Sequence, residues 1–209
     1  MRSIVVICKI VLILVKYVRR CALVLGLLLF GQLSGKAQTF ALKTDVLNWA
    51  TASFNIEPEV RVGDNSTLAL GLSWNPWTFK ESTANRKWRH LRVQPEYRYW
   101  FCRPFGGHFL GLHASYTRFN VGNVDLPFGL YPKLADQRVQ GNEWSVGIGY
   151  GYHWILSPRW SIEAEVGLGY SHASFDAYDC MKCGDLRGHE CTNRFVPTKL
   201  SVSVIYMIR

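Results

Sequence analysis

Residues 90–101 read His-Leu-Arg-Val-Gln-Pro-Glu-Tyr-Arg-Tyr-Trp-Phe. Leu91, Val93, Pro95, Tyr97, Tyr99 and Phe101 alternate with His90, Arg92, Gln94, Glu96, Arg98 and Trp100. Successive side chains of a strand point to opposite faces. This strand therefore has one apolar face and one face rich in charge. The same period recurs in Phe54–Val62, Trp144–Trp154 and Trp160–Tyr170, where Asn55, Glu57, Glu59 and Arg61 or Ser161, Glu163 and Glu165 occupy the polar side. Shorter versions run through Phe40–Leu47, Leu68–Trp74, Leu110–Tyr116 and Leu200–Ile208. Eight strands are expected, and no convincing helical stripe competes with them.

The connections decide between a soluble sandwich and a closed membrane sheet. Gly63–Ser66, Cys102–Gly107 and Ile155–Arg159 are tight, whereas 75–89, 118–142 and 171–195 are long; the first connection, near Asn48–Ala52, is a short exception. Short turns at one end and long loops at the other predict an eight-stranded antiparallel transmembrane β-barrel, with periplasmic turns and extracellular loops. Tyr99, Phe101, Trp154 and Trp160 fall beside the short turns; Trp74, Trp77, Trp88, Tyr116, Trp144 and Tyr170 fall near the long connections. Two aromatic girdles at the two bilayer interfaces give that distribution.

The beginning of the chain agrees with export. Up to Ala37 it carries six basic residues and no acid, and the apolar run Cys21–Phe30 leads to Gly35-Lys36-Ala37. That pattern predicts a signal peptide over 1–37, cleaved after Ala37, and a barrel domain over 38–209. The apolar segment Ile4–Val15 before it fits either a later translation start or one long signal. Removing 1–37 reduces the formal charge from +9 to +3, so the basic balance is largely a targeting feature and does not support nucleic-acid binding.

Eight strands leave a narrow interior that side chains fill. The inward set holds Asp45, Glu57, Glu59, Glu96, Glu163 and Glu165 against Lys43, Arg61, Arg92, Arg98 and Lys199. Buried charges are costly unless paired, so an interior salt-bridge network that plugs the barrel is expected in preference to a paired-carboxylate catalytic site or an open pore. The inward glycines Gly147, Gly149, Gly151, Gly167 and Gly169 leave room for those long side chains.

Cys180-Met-Lys-Cys183 and His189-Glu-Cys191 are the other candidate site, assigned to the last long loop. Outside the cytoplasm Cys180, Cys183 and Cys191 are expected to form a disulfide whose pairing the sequence leaves open, plus one thiol. The alternative is zinc held by Cys180, Cys183, His189 and Cys191, a donor set suited to tetrahedral coordination. Cys102, at the opposite end, is too far to pair with them.

Several stretches carry a resemblance: Ala41-Leu-Lys-Thr44, Asn75-Pro-Trp77, Lys87-Trp-Arg-His90, Val93-Gln-Pro-Glu-Tyr-Arg-Tyr-Trp100, Gly107-His-Phe109, Tyr150-Gly-Tyr-His-Trp-Ile-Leu156, Cys180-Met-Lys-Cys-Gly184 and Pro197-Thr-Lys199. Together they resemble domain-of-unknown-function family 3575, uncharacterised outer-membrane barrel proteins common in Bacteroidetes. The resemblance implies the barrel and the outer-membrane location. It also implies a surface role connected with fimbria assembly or anchoring, since members are often encoded beside fimbrial proteins.

The expected function is thus a non-enzymatic surface barrel without cofactor, in contact with lipid and lipopolysaccharide and with fimbrial or other surface proteins. The mixture of Trp77, Phe79, Lys80, Arg86, Lys87, Trp88 and Arg89 suits contacts to an anionic outer leaflet. One alternative is a purely structural barrel. The other is an outer-leaflet lipid-modifying enzyme, for which Ser171-His-Ala-Ser-Phe-Asp176 supplies residue types. His172 and Ser174 share one strand face about 6–7 Å apart, too far for a nucleophile and its base. A partner from another strand is needed, and none is evident.

Overall fold

The computed structural model describes residues 40–79, 86–122, 138–178 and 186–208. They form a single antiparallel sheet: β1 (Phe40–Asp45), β2 (Phe54–Arg61), β3 (Ser66–Asn75), the two-residue β4 (Thr78–Phe79), β5 (Arg86–Trp100), β6 (Gly107–Gly122), β7 (Arg138–Ile155), β8 (Trp160–Tyr178) and β9 (Leu186–Ile208). The one helix among these residues, α1 (Val46–Ala50), fills the first connection. Each long strand pairs with its sequence neighbours, β1 pairs with β9, and β3 reaches β5 past the small β4. The eight long strands therefore close into a ring, leaving none of them with a free edge in the closed part.

The ring is lopsided. β1 has 6 residues and β9 has 23. Strands β5–β9 continue as a paired sheet well past the level where β1–β3 end, with β6 and β7 in register out to Gly122↔Arg138 and β8 and β9 out to Tyr178↔Leu186. Among the described residues, the connections expected as long loops are thus largely strand: 118–122, 138–142, 171–178 and 186–195 all lie in ladders. Alternation continues through them, but its phase inverts. Trp88, Phe119, Val121, Val139, Phe175 and Ala177 pack together on the inner face, while Asn120, Gln140, Asn142 and Asn193 lie on the outer face. Trp88, expected in an aromatic girdle, belongs to this inner cluster.

In the closed part the burial is inside-out. Leu68, Leu70, Leu72, Leu112, Val146, Ile148, Val166, Leu168 and Leu200 are exposed, Ile148 at 64% and Leu200 at 68%. Their inward neighbours Glu59, Glu96, Arg98, His113, Glu163 and Lys199 are buried. At the tight-turn end the interior is closed by an apolar floor of Ala41, Phe105, Ile205 and Met207, with Trp100 and Phe109 packed above it in a tilted pair at 4.8 Å between ring centroids. Phe105 takes φ +61°, a conformation bulky residues rarely adopt. It packs on Trp100 across the 101–106 turn.

Two local devices shape the ring. Gly169 faces Gly147 across β7–β8, and a Cβ at Gly169 would collide with the Val146 carbonyl and the Gly147 Cα. Glycine is what allows these two strands to lie so close. In β9 the register slips between Leu168↔Pro197 and Gly167↔Lys199. This bulge makes Thr198 the extra residue, so Thr198 and Lys199 are both buried.

Candidate functional site

The interior between the floor and the upper apolar cluster of Val121, Val139 and Ala177, the cap, is organised around Arg98, which β5 brings in at 1% side-chain exposure. Its guanidinium pairs with every carboxylate of the layer: Glu57 from β2 at 2.9 Å, Glu59 at 3.0 Å, Glu96 from its own strand at 2.9 Å, and Glu163 and Glu165 from β8 at 2.9 Å each. A planar fork with five N–H donors suits this multiple role in a way an ammonium does not. Lys43 flanks it on one side, pairing with Glu59 and, at 3.1 Å, with Glu163. Lys199 flanks it on the other, pairing with Glu96 and, at 3.0 Å, with Glu165. Both lysines lie 3.7 Å from Glu57.

Five carboxylates and three cations from β1, β2, β5, β8 and β9 thus form one network. Polar neighbours extend its edges, although Glu165 Oε1, His153 Nε2 and His113 Nδ1 have no hydrogen-bond partner among the described residues. The indole of Trp100 donates to the Thr67 hydroxyl at 2.9 Å, and Thr67 donates in turn to Glu59. His153 Nδ1 lies 3.3 Å from Glu163. Towards the cap, His113 Nε2 lies 2.7 Å from the Thr198 hydroxyl, and Arg92 donates to the Thr198 carbonyl at 2.6 Å. Ser115 and Ser145 pair at 2.7 Å above them. A Cβ at Gly111 or Gly149 would overlap the carboxylates of Glu96 and Glu165 respectively, so these two glycines make the space the acids occupy.

Three residues expected in the network stand apart from it. Asp45 is the last residue of β1 and caps α1: its carboxylate accepts from Leu47 N, Asn48 Nδ2 and Val202 N. Arg61 ends β2 at the tight turn, where it donates to the Gly63 carbonyl and pairs with exposed Asp64 at 3.5 Å. Arg92 is inside but one layer higher; it forms no ion pair among the described residues, and its Nε has no partner. The expected near-balance of acids and bases is accordingly not what meets at the centre. His113, His153, Thr67 and Thr198 complete the layer. The two histidines sit at inward positions of alternating strands, which is a usable signal; Thr198 is turned inward by a bulge that alternation does not reveal.

The second site lies on the outer face of the β8–β9 extension. Of the cysteine stretch, Cys180 and Cys183 lie outside the described residues, as do the proposed signal segment 1–37, with Cys8 and Cys21, and Lys80. His189 and Cys191 are in β9 rather than a loop, opposite Asp176 and Ser174. His189 Nδ1 lies 2.9 Å from Asp176 Oδ1, its Nε2 lies 3.1 Å from Ser174 Oγ, and Cys191 Sγ lies 3.7 Å from the same Nε2. The cross-strand partner missing from the sequence reading is thus His189. His172 instead binds the Asn193 side chain. Cys102 and Cys191 are both exposed, and neither is in a disulfide among the described residues. No group of three His, Cys, Asp or Glu among those residues is arranged to hold a metal ion.

A ringed eight-stranded antiparallel sheet with apolar outer wall and ionic interior defines the structural class. Residues 23–208 match the model of the family described as Protein of unknown function (DUF3575), and the chain belongs to that family. No curated protein and no solved structure matches it.

Proposed function

We propose that this chain is an outer-membrane β-barrel protein of the bacterial surface. Its interior is sealed by the Arg98 network, and its working surface is the sheet that β5–β9 raise beyond the membrane. The observation that carries this reading is the phase inversion along single strands. In β7, Val146 and Ile148 face outward beside inward Ser145, whereas nine residues before Ile148 Val139 is the buried residue and Gln140 the exposed one. A wall that is apolar outside at one height and polar outside at the next fits a solvent that changes from lipid to water.

Aromatic spacing supports the same boundary. Trp144 and Trp154 on β7, and Trp160 and Tyr170 on β8, are exposed and mark two tiers. Ten residues of strand span roughly 33 Å; tilted about 40°, they rise about 25 Å, the height of an outer-membrane apolar band. Closure satisfies the backbone polar groups that lipid could not.

The network and the aromatic floor leave the barrel wall as a rigid mount, so partners are met at the raised sheet: lipopolysaccharide, and the fimbrial or other surface proteins that the family resemblance suggests. A signal peptide over 1–37 would deliver the chain. The test is fractionation with the outer membrane, a heat-modifiable mobility on gels, and silence in planar bilayers; large stable conductance steps contradict the sealed interior. Unchanged surface fimbriae after gene deletion would remove the fimbrial part alone. A second reading, acyl chemistry at the outer leaflet, is favoured by one observation, the alignment of Ser174, His189 and Asp176.

A further inference from the structure

We infer that Ser174, His189 and Asp176 form a nucleophile–base–acid relay that hydrolyses acyl esters at the cell surface. The inference deepens the second reading above. It depends on the membrane placement only for the source of its substrate.

The geometry is directional. Asp176 can only accept at His189 Nδ1 (2.9 Å), so that nitrogen carries the proton. Nε2 is then the basic nitrogen, and it faces the Ser174 hydroxyl at 3.1 Å. Antiparallel pairing produces this arrangement: His189 stands opposite Asp176 and diagonal to Ser174, all three on the outer face. The imidazole can therefore lie between a carboxylate and a hydroxyl two residues apart on β8. One rung nearer the closed ring, His172 Nδ1 donates to Asn193 Oδ1. Asn193 stands diagonal to Ser174 on the same outer face, and its amide N–H groups are donors of the kind that stabilise an oxyanion.

In the reaction, Ser174 Oγ attacks the ester carbonyl carbon while its proton passes to His189 Nε2. Collapse of the tetrahedral adduct breaks the acyl carbon–oxygen bond, and His189 returns the proton to the departing alkoxide. Water then attacks acyl-Ser174, giving a proton to His189. The Ser174–acyl bond breaks, Oγ recovers the proton, and the carboxylic acid leaves. The sum is ester plus water to acid plus alcohol.

Below the relay on the same face, Tyr170 and Phe195 are paired across β8–β9 and exposed, Phe195 at 74%. They lie about four residues, or roughly 13 Å of strand, closer to the apolar band. An acyl chain resting on these rings would present its ester towards Ser174. A soluble acyl ester would offer the same chemistry.

The test treats the purified full chain with a fluorophosphonate probe and locates the adduct by mass spectrometry. Hydrolysis is followed with p-nitrophenyl butyrate and with vesicles containing phospholipid and lipopolysaccharide. One adduct on Ser174, abolished by Ser174→Ala, with ester turnover reduced about 10²-fold or more by His189→Gln, is the expected result. Turnover only on vesicles identifies a lipid ester, and turnover only on p-nitrophenyl butyrate a soluble one; either supports the relay. No adduct, an adduct elsewhere, or turnover unaffected by Ser174→Ala overturns it. Retained heat-modifiability shows that the variants fold. A chain that labels on Ser174 yet fails to fractionate with the outer membrane refutes the membrane placement and leaves the relay standing.

Discussion

Arg98 Nη1 and Glu163 Oε1 lie 2.9 Å apart across the interior of the ring, although β5 and β8 are separated by two strands in one direction and four in the other. The contact ties opposite walls together directly. Because the same guanidinium also holds Glu57, Glu59, Glu96 and Glu165, one side chain fixes the cross-section of the interior.

Arg98→Met should therefore leave five inward carboxylates, four of them buried, facing two lysines, with a loss of about 3–5 kcal/mol. Arg98→Lys should recover only part of it, since an ammonium cannot reproduce the fork. Urea unfolding in detergent, followed by tryptophan fluorescence, measures both; a wild-type midpoint for Arg98→Met would refute the central role.

Gly169→Ala should destabilise the β7–β8 pair. The new methyl meets backbone on the facing strand, which cannot rotate away as a side chain could, and overpacking of this kind costs about 1–3 kcal/mol. Gly188→Ala in β9, where a Cβ meets nothing within 4 Å, serves as the control and should be neutral. Equal midpoints for the two variants would contradict the close approach.

Ile148→Arg places a charge in the middle of the exposed apolar wall. In a bilayer it should cost about 2–4 kcal/mol, whereas Gln140→Arg, on the same face of β7 but past the phase inversion, should cost almost nothing. Folding titrations into lipid vesicles separate the two; a neutral Ile148→Arg would mean that water, not lipid, surrounds the wall.

The alternation of Leu91–Phe101 and of Trp160–Tyr170 made both faces of the strands legible, including the inward placement of Arg98, Glu163 and Glu165. Its limits have physical causes. Asp45 and Arg61 continue the polar face on paper, but each ends a strand, where a helix cap or a turn carbonyl takes its side chain. Thr198 is turned inward by a bulge, whereas Lys199 simply continues the alternation of Ser201 and Ser203. The strand extensions were hidden because Phe119, Val121, Phe175 and Ala177 put apolar groups on the face that lower down is ionic, so one period conceals two phases. The Ser174–His189–Asp176 contact depends on how β9 registers against β8, which no local pattern reveals.

The most direct test is chemical access along β7 and into the turn that follows it. In a chain whose native cysteines are replaced by serine, single variants Gln140→Cys, Ile148→Cys and Ser157→Cys are exposed to a membrane-impermeant maleimide on intact cells. The proposed barrel predicts labelling at 140 at once, at 157 only after the outer membrane is permeabilised, and at 148 only after detergent. Labelling of 148 on intact cells as fast as 140 would contradict a wall buried in lipid.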